Sequence, residues 1–174
     1  MGQPPVAVAV ADAGPLIHLA EVGMLRVLKC IGQLLIPEMV WAETVGAGRV
    51  RADEVMGKTG MQRTPIQSAE LVQFVSQHSL QHLHAGECEA LCLCARVACT
   101  TLLTDDLAVR DAAKTLNITP VGSLGLIILA FRTGILTRLD AEQALFNLFD
   151  ISSLFVTRAL VDQAVEEIRK TAPP

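Results

Sequence analysis

The sequence predicts an α/β fold in which a central parallel sheet is covered by helices on both sides, a three-layer α/β/α sandwich, and three observations carry that expectation. Short aliphatic runs of strand length alternate with helix-length amphipathic patterns along the chain. The strand runs are apolar on both faces, as strands buried between two layers are. Hydrophobic residues make up 51% of the 174 positions and charged ones 18%, enough to fill a large core and to exclude a disordered chain. Aromatic residues are only 3%, so that core has to be aliphatic. In such a sheet the crossovers are right-handed, and ligands bind beyond the carboxyl ends of the strands.

The elements follow in order. Val6–Ala11 is a small, β-branched run that ends at Asp12, a first strand. Gly14-Pro15 opens a helix whose apolar face runs from Leu16 to Leu28. Leu34–Ile36 is a second strand closed by Pro37, and a helix from Glu38 to Val45 follows. Residues 46–65 hold Gly46, Gly48, Gly57 and Gly60 with mixed charge and read as a mobile loop or a short helix. Ala69–Gln77 and His84–Cys99 are helices, and Thr101–Thr104 is a third strand ended by Asp105-Asp106. Leu107–Leu116 is a helix, Ile118–Val121 a fourth strand, and Leu124–Arg132 a helix stopped by Gly134. Asp140–Phe149 is a helix with Asp140 as its cap and Gln143 three residues on, and Leu154–Lys170 is the last. The expectation is one domain, with a core over about 6–135 and a helical extension over about 138–170.

Composition narrows the function. Net charge is −4, which argues against a strongly basic, sequence-independent nucleic-acid binder. The longest uncharged apolar stretch, Val121–Phe131, is 11 residues, against the roughly 20 that a membrane-spanning helix needs. No basic residue precedes Asp12, so no signal peptide is expected, and the reading is cytoplasmic. Cys30, Cys88, Cys92, Cys94 and Cys99 are odd in number, and four of them crowd into one predicted helix; reduced core thiols fit better than a disulfide framework. His82, His84, Cys88 and Cys92 have a spacing that zinc could use, but structural zinc sites pair their ligands more tightly, and small core residues are the better reading.

The acidic residues carry the chemistry. Asp12 follows the first strand and Asp105-Asp106 the third, and in a parallel sheet those ends share one edge. Glu43 and Glu87 lie on helices that can face it. Carboxylates gathered in one place repel one another unless a cation sits among them, and hard oxygen donors select Mg²⁺ or Mn²⁺. A metal so held activates water and neutralises charge on a phosphate, which points to phosphodiester hydrolysis. Each acid also has a structural reading: Asp12 and Asp106 as helix N-caps, which is compatible with metal binding, Glu43 as a surface residue, and Glu87 and Glu89 as first-turn acids favoured by the helix dipole.

Five segments in order, Asp12-Ala-Gly-Pro-Leu-Ile-His-Leu, Ile36-Pro-Glu-Met-Val-Trp-Ala-Glu43, Gly86-Glu87-Cys-Glu89-Ala-Leu, Leu102-Leu-Thr-Asp-Asp106-Leu-Ala-Val-Arg110 and Val121-Gly-Ser-Leu-Gly125, resemble a PIN-domain protein over about residues 6–156. More narrowly, they resemble the bacterial and archaeal branch with D-x-x-P-L-I, G-E-x-E-A and L-L-x-D-D motifs, and VapC-type toxin ribonucleases are relatives. The resemblance implies Mg²⁺- or Mn²⁺-dependent endoribonuclease activity on an RNA substrate, with a small antitoxin-like protein as partner. By position it implies Asp12, Glu43, Glu87 and Asp106 as the catalytic acids, and a metal held by Asp12, Glu87, Asp105 and Asp106. Glu89 rivals Glu87 as the third acid, and Asp111 is an outer candidate. Ala13 and Gly14 stand where many relatives have Ser or Thr, and the third acid is Glu where VapC toxins usually have Asp. These departures support the alternative, a catalytically degenerate interaction module. A phosphotransfer enzyme is disfavoured, since no D-x-D follows the first strand.

Further contacts remain open at this level. Arg49, Arg51, Lys58 and Arg63 either touch RNA phosphates or simply face solvent. Trp41 reads as core, and no aromatic platform for base stacking is evident. Phe146, Phe149 and Phe155 read as packing or as part of a homodimer face, because a chain this apolar often buries surplus surface against a second copy.

Overall fold

The computed structural model describes residues 6–56 and 60–171. Five strands, β1 (Val6–Ala11), β2 (Ile31–Pro37), β3 (Met61–Thr64), β4 (Thr101–Leu103) and β5 (Thr119–Val121), form one parallel sheet in the order β3-β2-β1-β4-β5. The chain moves one way from β1 through β2 to β3 and then returns to the other side of β1 with β4. The strand order therefore reverses between β1 and β4, the place where open α/β sheets put their ligands.

Side-chain alternation builds the two outer layers. Ala9, Ala11, Leu34, Ile36 and Leu103 face one apolar cluster, and Val10, Leu35 and Leu102 face the other. The first cluster includes α1 (Ala13–Glu21), a 3₁₀ turn at Leu25–Cys30, α7 (Ser123–Arg132), α8 (Arg138–Asp150) and α9 (Arg158–Lys170). The second holds α4 (Ser68–His78), α5 (Ala85–Arg96) and α6 (Leu107–Thr115). This is the predicted α/β/α sandwich.

Several boundaries differ from expectation, each for a local reason. The first helix begins at Ala13, because Asp12 caps it by accepting from the Ala13 N–H at 2.7 Å, and it ends before Gly23, whose φ is +66°. The apolar pattern past it belongs to the 3₁₀ turn. Residues 46–65, expected as a loop or a short helix, hold the short helix α3 (Ala52–Met56) and also β3, a fifth strand where four were expected. Met-Gln-Arg-Thr is short, polar and at the sheet edge, so it carries no apolar alternation. The helix expected over Glu38–Val45 is α2 (Glu38–Trp41) continued by a π turn, Ala42–Gly46. Helix α5 stops at Arg96 rather than Cys99, because Ala98 is left-handed (φ +51°) and the Cys99 N–H turns back to the Cys94 carbonyl at 2.9 Å. Thr137, not Asp140, caps α8, accepting from the Asp140 N–H at 3.1 Å. Thr157 caps α9, which begins at Arg158 rather than Leu154. Among the described residues no helix is long and apolar enough to cross a membrane.

Candidate active site

The sheet ladder runs past the ends of the strands and sets the site. The Asp12 N–H donates to the Leu103 carbonyl at 2.9 Å, and the Thr104 N–H to the Val121 carbonyl at 3.0 Å. Asp12, Thr104 and the start of α7 are thereby brought side by side at the β1/β4 reversal. A cleft of about 660 Å³ opens there, lined by Asp12, Glu43, Glu87, Asp105 and Asp106 together with His18 and His84.

Asp12 is the deepest acid of the cleft, 5% exposed. One oxygen accepts from the Ala13 N–H and the other from the Thr104 hydroxyl at 2.8 Å. Burial nevertheless pushes its carboxyl up to about 6, with the negative charges of Glu87 and Glu43 adding in the same direction. Thr104, fully buried, also accepts from the Asp106 N–H at 3.3 Å, so one hydroxyl ties the two strand-end aspartates together. Asp106 caps α6 by accepting from the Val109 N–H at 3.0 Å and is otherwise exposed. Both aspartates are thus N-caps as well as cleft acids.

The two glutamates come from opposite walls. Glu43 rides on the π turn, where the buried Thr44 hydroxyl donates to the Val40 carbonyl at 2.7 Å. Its carboxylate lies over the backbone of Gly86: a Cβ on that glycine would stand 3.1 Å from both Glu43 oxygens. Glycine at 86 leaves that carboxylate room that a Cβ would crowd. Glu87, half-buried, accepts from the His84 N–H at 2.8 Å and so closes the start of α5. Glu89 takes a different course. It is 5% exposed, does not line the cleft, and accepts from the Met39 N–H at 2.7 Å, which caps the otherwise uncapped start of α2. Burial, before its acidic neighbours, raises its carboxyl pKa. Of the two rival acids, only Glu87 lines the cleft.

Asp105 lies in the cleft wall with its oxygens already engaged. It accepts from the Ser123 N–H at 2.7 Å, from the Ser123 hydroxyl at 2.6 Å, and from His18 Nδ1 at 2.8 Å. Gly122 permits this grip, since a Cβ there would be 2.8 Å from an Asp105 oxygen. Asp111 is outside the cleft, exposed on α6 and paired with Lys114 at 3.1 Å. Among the described residues no group of three or more His, Cys, Asp and Glu side chains is already gathered around one metal position. Asp12, Glu43, Glu87 and Asp106 are spread around the cleft as a set of hard oxygen donors. Their chemistry fits a divalent cation, because Asp12 carries a buried carboxylate whose charge only two neutral donors offset.

Sequence reasoning missed Thr104, Ser123 and the arrangement of His18. Thr104 and Ser123 could have been found by the signal that located the acids, a position just past a strand end. The tie from His18 to Asp105 spans 87 residues and has no local trace. The cationic residues of 46–65 are paired: Arg49 with Glu21, Arg51 with Asp53, and Arg63 with Glu38 while stacking on the partly buried Trp41. Lys58 lies outside the described residues. The cysteines are buried free thiols, with Cys88 and Cys92 inside the α4–α5–α6 layer. Phe155 is 99% exposed at the cleft rim, contrary to a packing role, while Arg158 sits over Phe146 and Phe149.

A family model described as PIN domain matches residues 8–170. No match was found among curated proteins or among solved structures.

Unfolded Asp12 loses its proton near 3.8 and folded Asp12 near 6, so the folded state alone keeps the proton between those values. Metal-free stability should fall as pH rises through that window, by up to about 3 kcal/mol. Asp12→Asn should remove that slope and be the more stable protein at pH 7 by about 1–3 kcal/mol, read from urea melts in EDTA. Glu89→Ala should cost about 1–2 kcal/mol by uncapping α2, while Glu89→Gln stays near wild type. Neither should change Mn²⁺ affinity by calorimetry, whereas Glu87→Gln should lower it.

Proposed function

The chain belongs to the PIN-domain family, and from that premise we propose that it is a metal-dependent endoribonuclease. Family membership makes nuclease the general reading. Asp12 carries the specific one: a buried carboxylate at the sheet's point of reversal, facing the same cleft as Glu43, Glu87 and Asp106. RNA is a polyanion, and an acid-lined cleft repels it without a cation between them. In this reading Asp12, Glu87 and Asp106 hold Mg²⁺ or Mn²⁺, with Glu43 completing the set. When bound, the cation supplies an activated water and offsets charge developing on the scissile phosphate.

The remaining roles fall to the chain's own residues. Thr104 fixes the spacing of Asp12 and Asp106 through one hydroxyl. Gly86 leaves room for the Glu43 carboxylate. The α5 capping contact holds Glu87 at the rim. Asp105, with three donors on its two oxygens, serves to hold the wall rather than the cation.

A toxin-like role in the cytoplasm, restrained by a small protein or by a second copy, accords with the apolar rim. Phe155, Leu107 and Leu160 are exposed around a groove of about 650 Å³ that shares Asp105, Leu154 and Phe155 with the acid cleft. One specific observation favours the second reading, a non-catalytic PIN-fold module: the side chains at 13 and 14 bring no hydroxyl to the cleft that they line.

The test is cleavage of a panel of single-stranded and structured RNAs with Mn²⁺, Mg²⁺ or EDTA, with Mn²⁺ calorimetry alongside. Cleavage should require the metal, and Asp12→Asn should lose on the order of 100-fold or more in rate along with metal affinity. Metal binding without cleavage of any RNA would favour the module.

A further inference from the structure

His18 has no part in the carboxylate reading, yet it lines the acid cleft. Its ring is held from behind. Asp105 is an acceptor at both oxygens and takes two of its three hydrogen bonds from Ser123, so the third, 2.8 Å from His18 Nδ1, makes Nδ1 the donor. This fixes the tautomer, and in the neutral ring it leaves Nε2 with a lone pair. Among the described residues nothing hydrogen-bonds Nε2, and none of their buried side-chain nitrogens or oxygens lacks a partner. Nε2 is therefore open to solvent, and the solvent beside this ring is the cleft. The ring is held in place: it is only 14% exposed, and Nδ1 stays bonded to Asp105 at 2.8 Å.

A base oriented by a carboxylate, with its free nitrogen in a reaction cleft, is the arrangement that activates a nucleophile. We propose that His18 is the proton acceptor for the attacking water, with Asp105 and Ser123 as its positioning residues. This inference rests on the ribonuclease reading. A water O–H bond breaks and the proton passes to Nε2 as the water oxygen forms a bond to phosphorus. The bond from phosphorus to one bridging sugar oxygen breaks, that oxygen keeps the electron pair and takes a proton from solvent, and His18 returns its own proton to solvent. Asp105 stabilises the imidazolium in between. The cleft acids are thus left to the cation, and the base is a separate group on α1.

Asparagine separates this role from a structural one. In His18→Asn the amide nitrogen replaces Nδ1 and keeps the bond to Asp105, while the group facing the cleft is gone. The measurements are RNA cleavage kinetics in Mn²⁺, Mn²⁺ calorimetry and thermal melts, on wild type, His18→Asn, His18→Ala and Asp12→Asn. We expect His18→Asn to keep its melting point and Mn²⁺ affinity, to keep KM, and to lose about 10²–10⁴-fold in kcat. Added imidazole should restore part of the rate of His18→Ala and none of that of Asp12→Asn. A His18→Asn variant that cleaves within a few-fold of wild type overturns the assignment and leaves the nuclease reading standing. Loss of Mn²⁺ affinity together with kcat, without imidazole rescue, also overturns it. A wild type that cleaves no RNA overturns both.

Discussion

A buried carboxylate at the point where the strand order reverses is the constraint around which this molecule is arranged. Burying Asp12 costs free energy unless the charge is paired or the oxygens are bonded. The chain meets part of that cost locally, through the Ala13 N–H, and part at long range, through Thr104 from the neighbouring strand. Both donors are neutral, so the carboxyl still holds its proton well above the ordinary aspartate range. In the proposed function, a divalent cation would be the partner that the fold does not itself provide. On that reading, the feature that weakens the metal-free protein is the one that would draw a cation to the site, the usual relation between strain at a site and its use.

The consecutive aspartates after β4 show how one strand end serves two purposes. Neighbouring residues in extended chain point to opposite sides. Asp106 turns to the start of α6 and stays exposed to the cleft, while Asp105 turns to His18 and Ser123. One stays open to the cleft and the other builds the wall. The glycines at 86 and 122 belong to the same economy, since each removes a Cβ where a carboxylate must lie against backbone.

Helices α7, α8 and α9 do more than cover one face of the sheet. Phe131, Leu145, Leu148, Val161 and Ile168 join the same apolar cluster as Ala11 and Leu103, so the layer that fixes the ends of β1 and β4 reaches to the last helix. The Asp105 grip begins at Ser123, the first residue of α7, which ties the cleft wall to that layer. The surface ion pairs along it, such as Arg132 with Glu167 and Arg169 with Glu142, are exposed and contribute little by comparison.

The sandwich, four of the five strands and the strand-end aspartates Asp12 and Asp106 were legible in the sequence, because they rest on local signals: apolar runs, periodicity, and acids placed just past strand ends. Glu43 and Glu87 lie on helices, without such a signal, and it was the family likeness that set them among the site acids. The sequence could not show β3, whose polar Met-Gln-Arg-Thr becomes a strand only by hydrogen bonding to β2. Nor could it choose between Glu87 and Glu89, two residues apart on α5, since the choice depends on which side of that helix α2 occupies. That Thr104 joins the aspartates and that Asp105 grips His18 becomes visible only in the folded chain. Those contacts join residues 92 and 87 positions apart, and a hydrogen bond made by folding leaves no pattern in the chain between its partners.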